Sequence, residues 1–263
     1  MTRLKYTLKN DILFKMLFTK YPILLKRLVA ELLGIEYESI GQFAITNPDI
    51  SPEEIEKKFC RLDINMVVNG QRVDLEVQVN DEGNYPERSL YYWAREFSTA
   101  LDEGEDYTDL PRTIVISILG FTQFADPKKF HSEFQVLEVT SHELLTDKCA
   151  LHYFELPKLP ESVSADNSRD LWLKLFKAET EEELAKIEAL EVPIMSEALQ
   201  AYRHVAASDE FREIERIRSK TRHDEAQAIR NAERRRDEHW QGVVDEQAAL
   251  IAKLRSQLGQ DLL

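Results

Sequence analysis

Cysteine is nearly absent: the 263 residues contain only Cys60 and Cys149, too few for a disulfide framework and too far apart for a thiolate zinc site. Glycine is scarce too. Eight glycines form neither a P-loop nor a dinucleotide-binding pattern, and no G-x-S-x-G nucleophile elbow occurs. The histidines (His131, His142, His152, His204, His223 and His239) lack HExxH or other zinc spacing and read as surface or core residues. No apolar run approaches the ~18 residues of a membrane span, and no signal-peptide core follows the first residues. A soluble protein of a reducing cytoplasm is expected. Basic residues are outnumbered by acidic ones, 34 to 48. A net charge of −14 argues against a basic coat for nucleic acid, yet local patches and bound cations still decide phosphate contacts.

What is present is a 43% hydrophobic fraction, enough for a packed core, and a 31% charged fraction that points to long exposed helices. The most informative stretch runs from Arg61 to Val79. Two alternating runs are joined by Asn69-Gly70, the dipeptide preferred by a two-residue type I′ turn because both positions need φ > 0. With that turn, Val68 pairs with Gln71, the pairing steps down both strands, and Asp63 falls opposite Glu76. Period two then sorts the side chains. Leu62, Ile64, Met66 and Val68 share an apolar face with Val73, Leu75, Val77 and Val79. Arg61, Asp63 and Asn65 share the other with Asp74, Glu76 and Gln78. Like charges directly opposed on a sheet destabilise it. A solvated strand face is one reading; the other is a bound divalent cation such as Mg²⁺, which takes one or two carboxylates plus waters and phosphates. Asp74 lies nearer the turn and reads as a supporting or solvent-facing residue.

Asn10-Asp11 opens an amphipathic helix expected to run to about Leu33, bent near Tyr21-Pro22 and closed by Gly34. Asp11 and Lys15 lie one turn apart, either as a cap and ion pair or as a border of the hairpin site. Residues 38–46 read as a strand. Pro86 begins a helix to about Leu101, expected to bury Leu90, Trp93, Ala94, Phe97 and Leu101. Thr113–Leu119 is a continuous apolar run, as in a strand covered on both faces. Phe134–Thr140 and Leu151–Leu156 read as two more strands. Pro157, Pro160 and a polar stretch suggest a linker over 157–169, followed by helices over 170–178, 180–190 and 193–207. Residues 209–258 form a long charged helix with a narrow apolar seam, suited to pairing with another helix.

This order of elements, with Lys9–Phe18 on the first helix, Arg61-Leu62-Asp63-Ile64 and Leu75-Glu76-Val77-Gln78 on the hairpin, Arg88–Trp93 on the next helix and Phe154–Lys158 before the acidic helical half, resembles the PD-(D/E)XK nuclease superfamily. Within it, the chain resembles the transposase-associated Rpn family of recombination-promoting nucleases. The resemblance implies an α/β restriction-endonuclease-like core over 1–156, with a mixed central sheet flanked by helices, and a helical region over 170–263. It implies a Mg²⁺-dependent DNA endonuclease, with Mn²⁺ as a substitute, acting in recombination or mobile-element processing. The metal ligands would be Asp63, Glu76 and the Val77 carbonyl. Gln78 stands where the superfamily usually has lysine; it is neutral, so it can orient water or phosphate but supplies no charge. Lys15 or Arg88 would supply that charge, with Tyr92 beside them. Arg212, Arg216, Arg218, Arg234, Arg235 and Arg236 are either a solvated helix face or DNA-backbone contacts. The partners implied are DNA and a second copy of the chain through the C-terminal helix, in a cytoplasmic, nucleoid-associated setting. The alternative is an inactive DNA-binding or partner-binding module of the same fold.

Overall fold

The computed structural model describes residues 2–48, 63–101, 104–162 and 164–260, with side chains through residue 254 of the last helix. Asn10 caps the first helix, α1 (Asp11–Lys20), its side chain accepting from the Leu13 N–H at 2.9 Å. The bend expected near Tyr21 is a full break. Pro22 has no N–H to continue the ladder and instead occupies the first turn of α2 (Pro22–Leu33), which closes on Gly34 at φ 66°.

Six strands follow: β1 (Phe43–Ile45), β2 (Ile64–Val68), β3 (Gln71–Gln78), β4 (Thr113–Leu119), β5 (His131–Phe134) and β6 (Cys149–Glu155). They form one mixed sheet in the order β1-β2-β3-β4-β6-β5. β3, β4 and β6 run parallel, and the remaining pairs are antiparallel. All seven residues of β4 are buried, as its continuous apolar run requires. Two strands depart from the sequence reading. Only Phe43–Ile45 of residues 38–46 pairs, because Tyr37–Ser39 closes a 3₁₀ turn. The strand expected over 134–140 sits earlier, at β5. Past Phe134 the Glu138 carboxylate accepts from the Thr140 and Ser141 N–H groups, making a turn where a ladder would have continued.

One sheet face lies against α1, α2, α4 (Ser168–Lys177), α5 (Glu181–Glu188) and α6 (Pro193–Ala207) in a single apolar cluster. Phe14 and Phe18 of α1 pack on Phe176, and Phe18 also meets Trp172. Residues on both sides of 157–169, where a linker was expected, belong to this one core, and Leu159 within that stretch joins it. The other face is covered by α3 (Tyr85–Ser98) over a smaller cluster of Tyr85, Val115, Leu119, Leu151 and Tyr153. The inward stripe of α3 differs from the expected one. Tyr85 and Ser89 are buried, Tyr92, Trp93 and Glu96 are half-buried, and Leu90 and Ala94 face outward. α3 lies over the polar side of the hairpin, so hydroxyls and aromatic rings, not aliphatics, face the sheet.

The last helix, α7 (Asp209–Gln260), is 52 residues long. Its first turns are docked. Phe211 is buried edge-on to Tyr6 at 4.8 Å, and Asp11 receives Arg218 at 2.8 Å and Arg222 at 3.3 Å. Beyond residue 232 nearly every described side chain is exposed, Trp240, Val244, Leu250, Ile251 and Leu254 included.

Candidate active site

The hairpin turn has the geometry its dipeptide requires, with Asn69 at φ 50° and Gly70 at φ 79°. Asn69 also anchors the turn: its Oδ1 accepts from the Gly41 and Gln42 N–H groups, and its Nδ2 donates to the Ser39 carbonyl. The register follows from Val68↔Gln71 to Asn65↔Asp74 and Ile64↔Leu75. Asp63 is the next residue out, on the step that faces Glu76. Arg61 and Leu62 lie outside the described residues.

Asp63, Asn65, Asp74, Glu76 and Gln78 therefore share the pleat beneath α3. The Asn65 amide nitrogen, oriented toward the two acids, donates to Asp74 Oδ1 at 2.9 Å and Asp63 Oδ2 at 3.1 Å. Asn47 holds the backbone around them, accepting from the Asn65 N–H at 2.8 Å and donating to the Asp63 carbonyl at 3.2 Å. Asp74 is buried rather than solvent-facing. Burial above all, then the neighbouring charges of Glu76, Asp63 and Glu96, push its carboxyl well above the usual carboxylate range.

Glu76 is buried as well, and Tyr85, fully buried in the first turn of α3, donates to its Oε2 at 3.0 Å. The Tyr85 oxygen lies 2.9 Å from Ser117 Oγ, on the β4 residue paired with Glu76. Burial, with Glu76 beside it, holds this phenol well above its ordinary range, so it stays a donor at any physiological pH. A second hydroxyl pair, Ser89 and Tyr153 at 2.6 Å, joins α3 to β6.

This donor set is all oxygen and carries several acids on one buried face, the chemistry that a hard divalent cation neutralises. Among the described residues no group of three or more His, Cys, Asp and Glu side chains converges as a preformed metal cage. Two carboxylates and a backbone oxygen nevertheless suffice for an ion that keeps its waters.

The family model for PD-(D/E)XK nuclease family transposases matches residues 8–232. The chain belongs to this family. No curated protein and no solved structure matches it. The six-stranded mixed sheet with flanking helices and a long C-terminal helix is consistent with the restriction-endonuclease-like fold of these nucleases.

The remaining residues singled out in this nuclease-family chain are less concentrated. Gln78 is buried, and its Nε2 donates to the Asn80 carbonyl at 2.7 Å. The Val77 side chain packs on the main core, so only its backbone has anything to offer a ligand. Lys15 is fully buried in α1, its ammonium without a hydrogen-bond partner among the described residues. Arg88 pairs with Glu82 at 2.7 Å and lies over the Tyr85 ring. Tyr92 is half-buried on α3, next to Tyr91. The arginines of α7 sit elsewhere, on a helix packed against α1 and α6. Arg218 is buried against Asp11, which places Asp11 in a docking contact for α7. Arg212, Arg216, Arg234 and Arg236 each have a local acidic neighbour, and Arg235 donates to the Asn231 carbonyl. Asn47, Tyr85 and Ser117 were not legible as site residues; each comes from an element that only tertiary structure brings to the hairpin.

Proposed function

We propose that the chain is a divalent-metal-dependent DNA endonuclease that hydrolyses phosphodiester bonds during recombination or mobile-element processing. The observation that carries this reading is the buried carboxylate face of the hairpin, with Glu76 fixed by Tyr85 and Asp63 fixed by Asn47 and Asn65. Asp63, Glu76 and the Val77 carbonyl would hold Mg²⁺, or Mn²⁺ in its place. When bound, the ion would supply charge for the phosphate and a water acidified enough to attack it. The protein's own contribution is orientation. Tyr85 fixes one oxygen of Glu76, the Asn65 amide bridges Asp63 and Asp74, and the Gln78 amide can position water or phosphate without adding charge. Lys15 and Arg88 are the candidates for the positive charge that Gln78 lacks, with Tyr92 nearby on α3. Arg212, Arg216, Arg234, Arg235 and Arg236 are proposed to touch the DNA backbone, and Arg218 to hold their helix in place. The exposed apolar residues of distal α7 support homodimerisation, and the setting proposed is cytoplasmic, at the nucleoid.

The reading is tested with supercoiled plasmid and the purified full-length chain. Nicking in Mg²⁺ that EDTA abolishes supports it; no cleavage of any DNA form with either metal overturns it. Tyr85→Phe is expected to weaken Mn²⁺ binding by calorimetry, and cleavage with it, by roughly 10–100-fold, the usual cost of losing a residue that orients a ligand. An unchanged metal affinity would remove Tyr85 from the site. A second reading draws on Gln78, whose amide is engaged by Asn80 at the position where lysine is usual. In that case the chain binds DNA or a protein partner without cutting, and DNA binding indifferent to metal, without nicking, would favour it.

A further inference from the structure

Beside the carboxylates, between the hairpin and the end of α3, lies a cavity of ≈ 260 Å³. Asn65, Asp74 and Glu96 supply polar groups to its lining, the Val67 side chain gives it an apolar side, and Met66 and Val73, whose side chains point into the main core, border it with backbone. Thr113 completes the wall; it is 1% exposed, and its hydroxyl has no partner among the described residues. A buried hydroxyl left unpaired is costly, and a ligand polar on one edge would satisfy this one. Arg72, also in the lining, is spent on the end of α3, donating to the Glu96 and Thr99 carbonyls. The space is too small for an extended ligand, since such pockets span roughly 300–1,000 Å³. It equals the share of about nine liquid waters at ~30 Å³ each, which is room for a single heterocycle.

Charge decides what part of a nucleic acid fits. Glu96 repels phosphate, and the carboxyl oxygens of Asp74 and Glu96 can accept hydrogen bonds from amino groups such as cytosine N4 or adenine N6. A base reaches a pocket of this kind only by leaving its stack, which is easiest when it is unpaired or mismatched. Asp74 and Glu76 are two residues apart on β3, ~6.6 Å along the strand, so a base in the cavity keeps its own backbone beside the proposed metal ligands.

We infer that this cavity receives one unpaired, amino-bearing base of the DNA whose backbone lies across Asp63 and Glu76. The inference rests on the nuclease reading for its substrate but requires no cleavage. Its test is equilibrium binding of the full-length chain, in Ca²⁺ without Mg²⁺, to a duplex with a single 2-aminopurine bulge and to the same duplex fully paired. The bulged duplex should bind at least ten-fold more tightly, with a several-fold rise in 2-aminopurine fluorescence as the base leaves the stack. Val67→Phe, which fills the cavity, should abolish both effects. Thr113→Val, nearly isosteric and expected to fold, should reduce the preference by several-fold, as should a bulged thymine in place of the bulged 2-aminopurine. Equal binding of bulged and paired DNA, or an unaltered preference in both variants, would overturn the base pocket while leaving the nuclease reading to the plasmid assay. Failure to bind any DNA would overturn both.

Discussion

Glu76→Ala and Asp63→Ala should each lower Mg²⁺-dependent plasmid nicking by at least about 10³-fold, because each removes a charged ligand from a centre expected to depend on it for both nucleophile and charge. The two proteins should remain folded. Neither side chain belongs to the main apolar core, and each sits among acids whose repulsion the substitution relieves. Circular dichroism and thermal melts of both variants therefore serve as the control, and they should match or exceed the wild type in EDTA. Cleavage within a few-fold of wild type in either variant would sink the assignment of these two residues. The same variants discriminate between the two functional readings. A binding module would keep its DNA affinity in both, with no activity to lose.

The largest stability effect expected at the site comes from Asp74→Asn. In the metal-free protein the Asp74 carboxyl titrates well above its ordinary 3.8, chiefly through burial and secondarily through Glu76, Asp63 and Glu96. The unfolded chain releases this proton near the ordinary value, so the folded state binds more protons at intermediate pH. The stability that the protonated carboxyl contributes is complete below the unfolded pKa and is lost as pH rises through the folded one. Each unit of separation is worth about 1.4 kcal/mol. Urea unfolding in EDTA should thus show the wild type losing stability from about pH 4 upward toward neutrality. Asp74→Asn, which keeps the shape without the ionisation, should flatten that slope and be the more stable protein at pH 7. Identical pH profiles for the two would show that Asp74 is not under this strain.

The hairpin was legible in the sequence because its signals are local. Asn69-Gly70 dictates the turn, the turn dictates the register, and alternation places Asp63 and Glu76 on one face. The burial of Asp74 was not legible, since it depends on which side of the hairpin α3 covers. Apolar periodicity suggested a Leu90 and Ala94 stripe for that helix, whereas the inward stripe starts with Tyr85 and Ser89. A helix that covers carboxylates satisfies them with hydroxyls, and a count of aliphatic residues cannot register that. Arg218 makes the same point across 207 positions. Within its own helix it looks like one more solvated arginine; only the fold delivers Asp11 to it. The β5 offset is smaller in scale, a competition between a ladder and the local turn closed by Glu138.

The two-residue turn at Asn69-Gly70 has a bearing on how this protein can diverge. Substitutions there cost backbone strain and, at Asn69, the side-chain bonds to Ser39, Gly41 and Gln42, but a single inserted or deleted codon in either strand would swap every inward and outward side chain beyond it. Asp74 and Glu76 would be driven into the oily interior and Val73 and Leu75 out beneath α3, destroying fold and chemistry in one event. Descendants of this gene should therefore keep the spacing from Asp63 to Glu76 fixed while letting α7 lengthen or shorten, since an extra turn in a solvent-exposed helix disturbs nothing it touches. Deep mutational scanning with single-codon indels would register the contrast as a sharp trough over the hairpin and a plateau over distal α7.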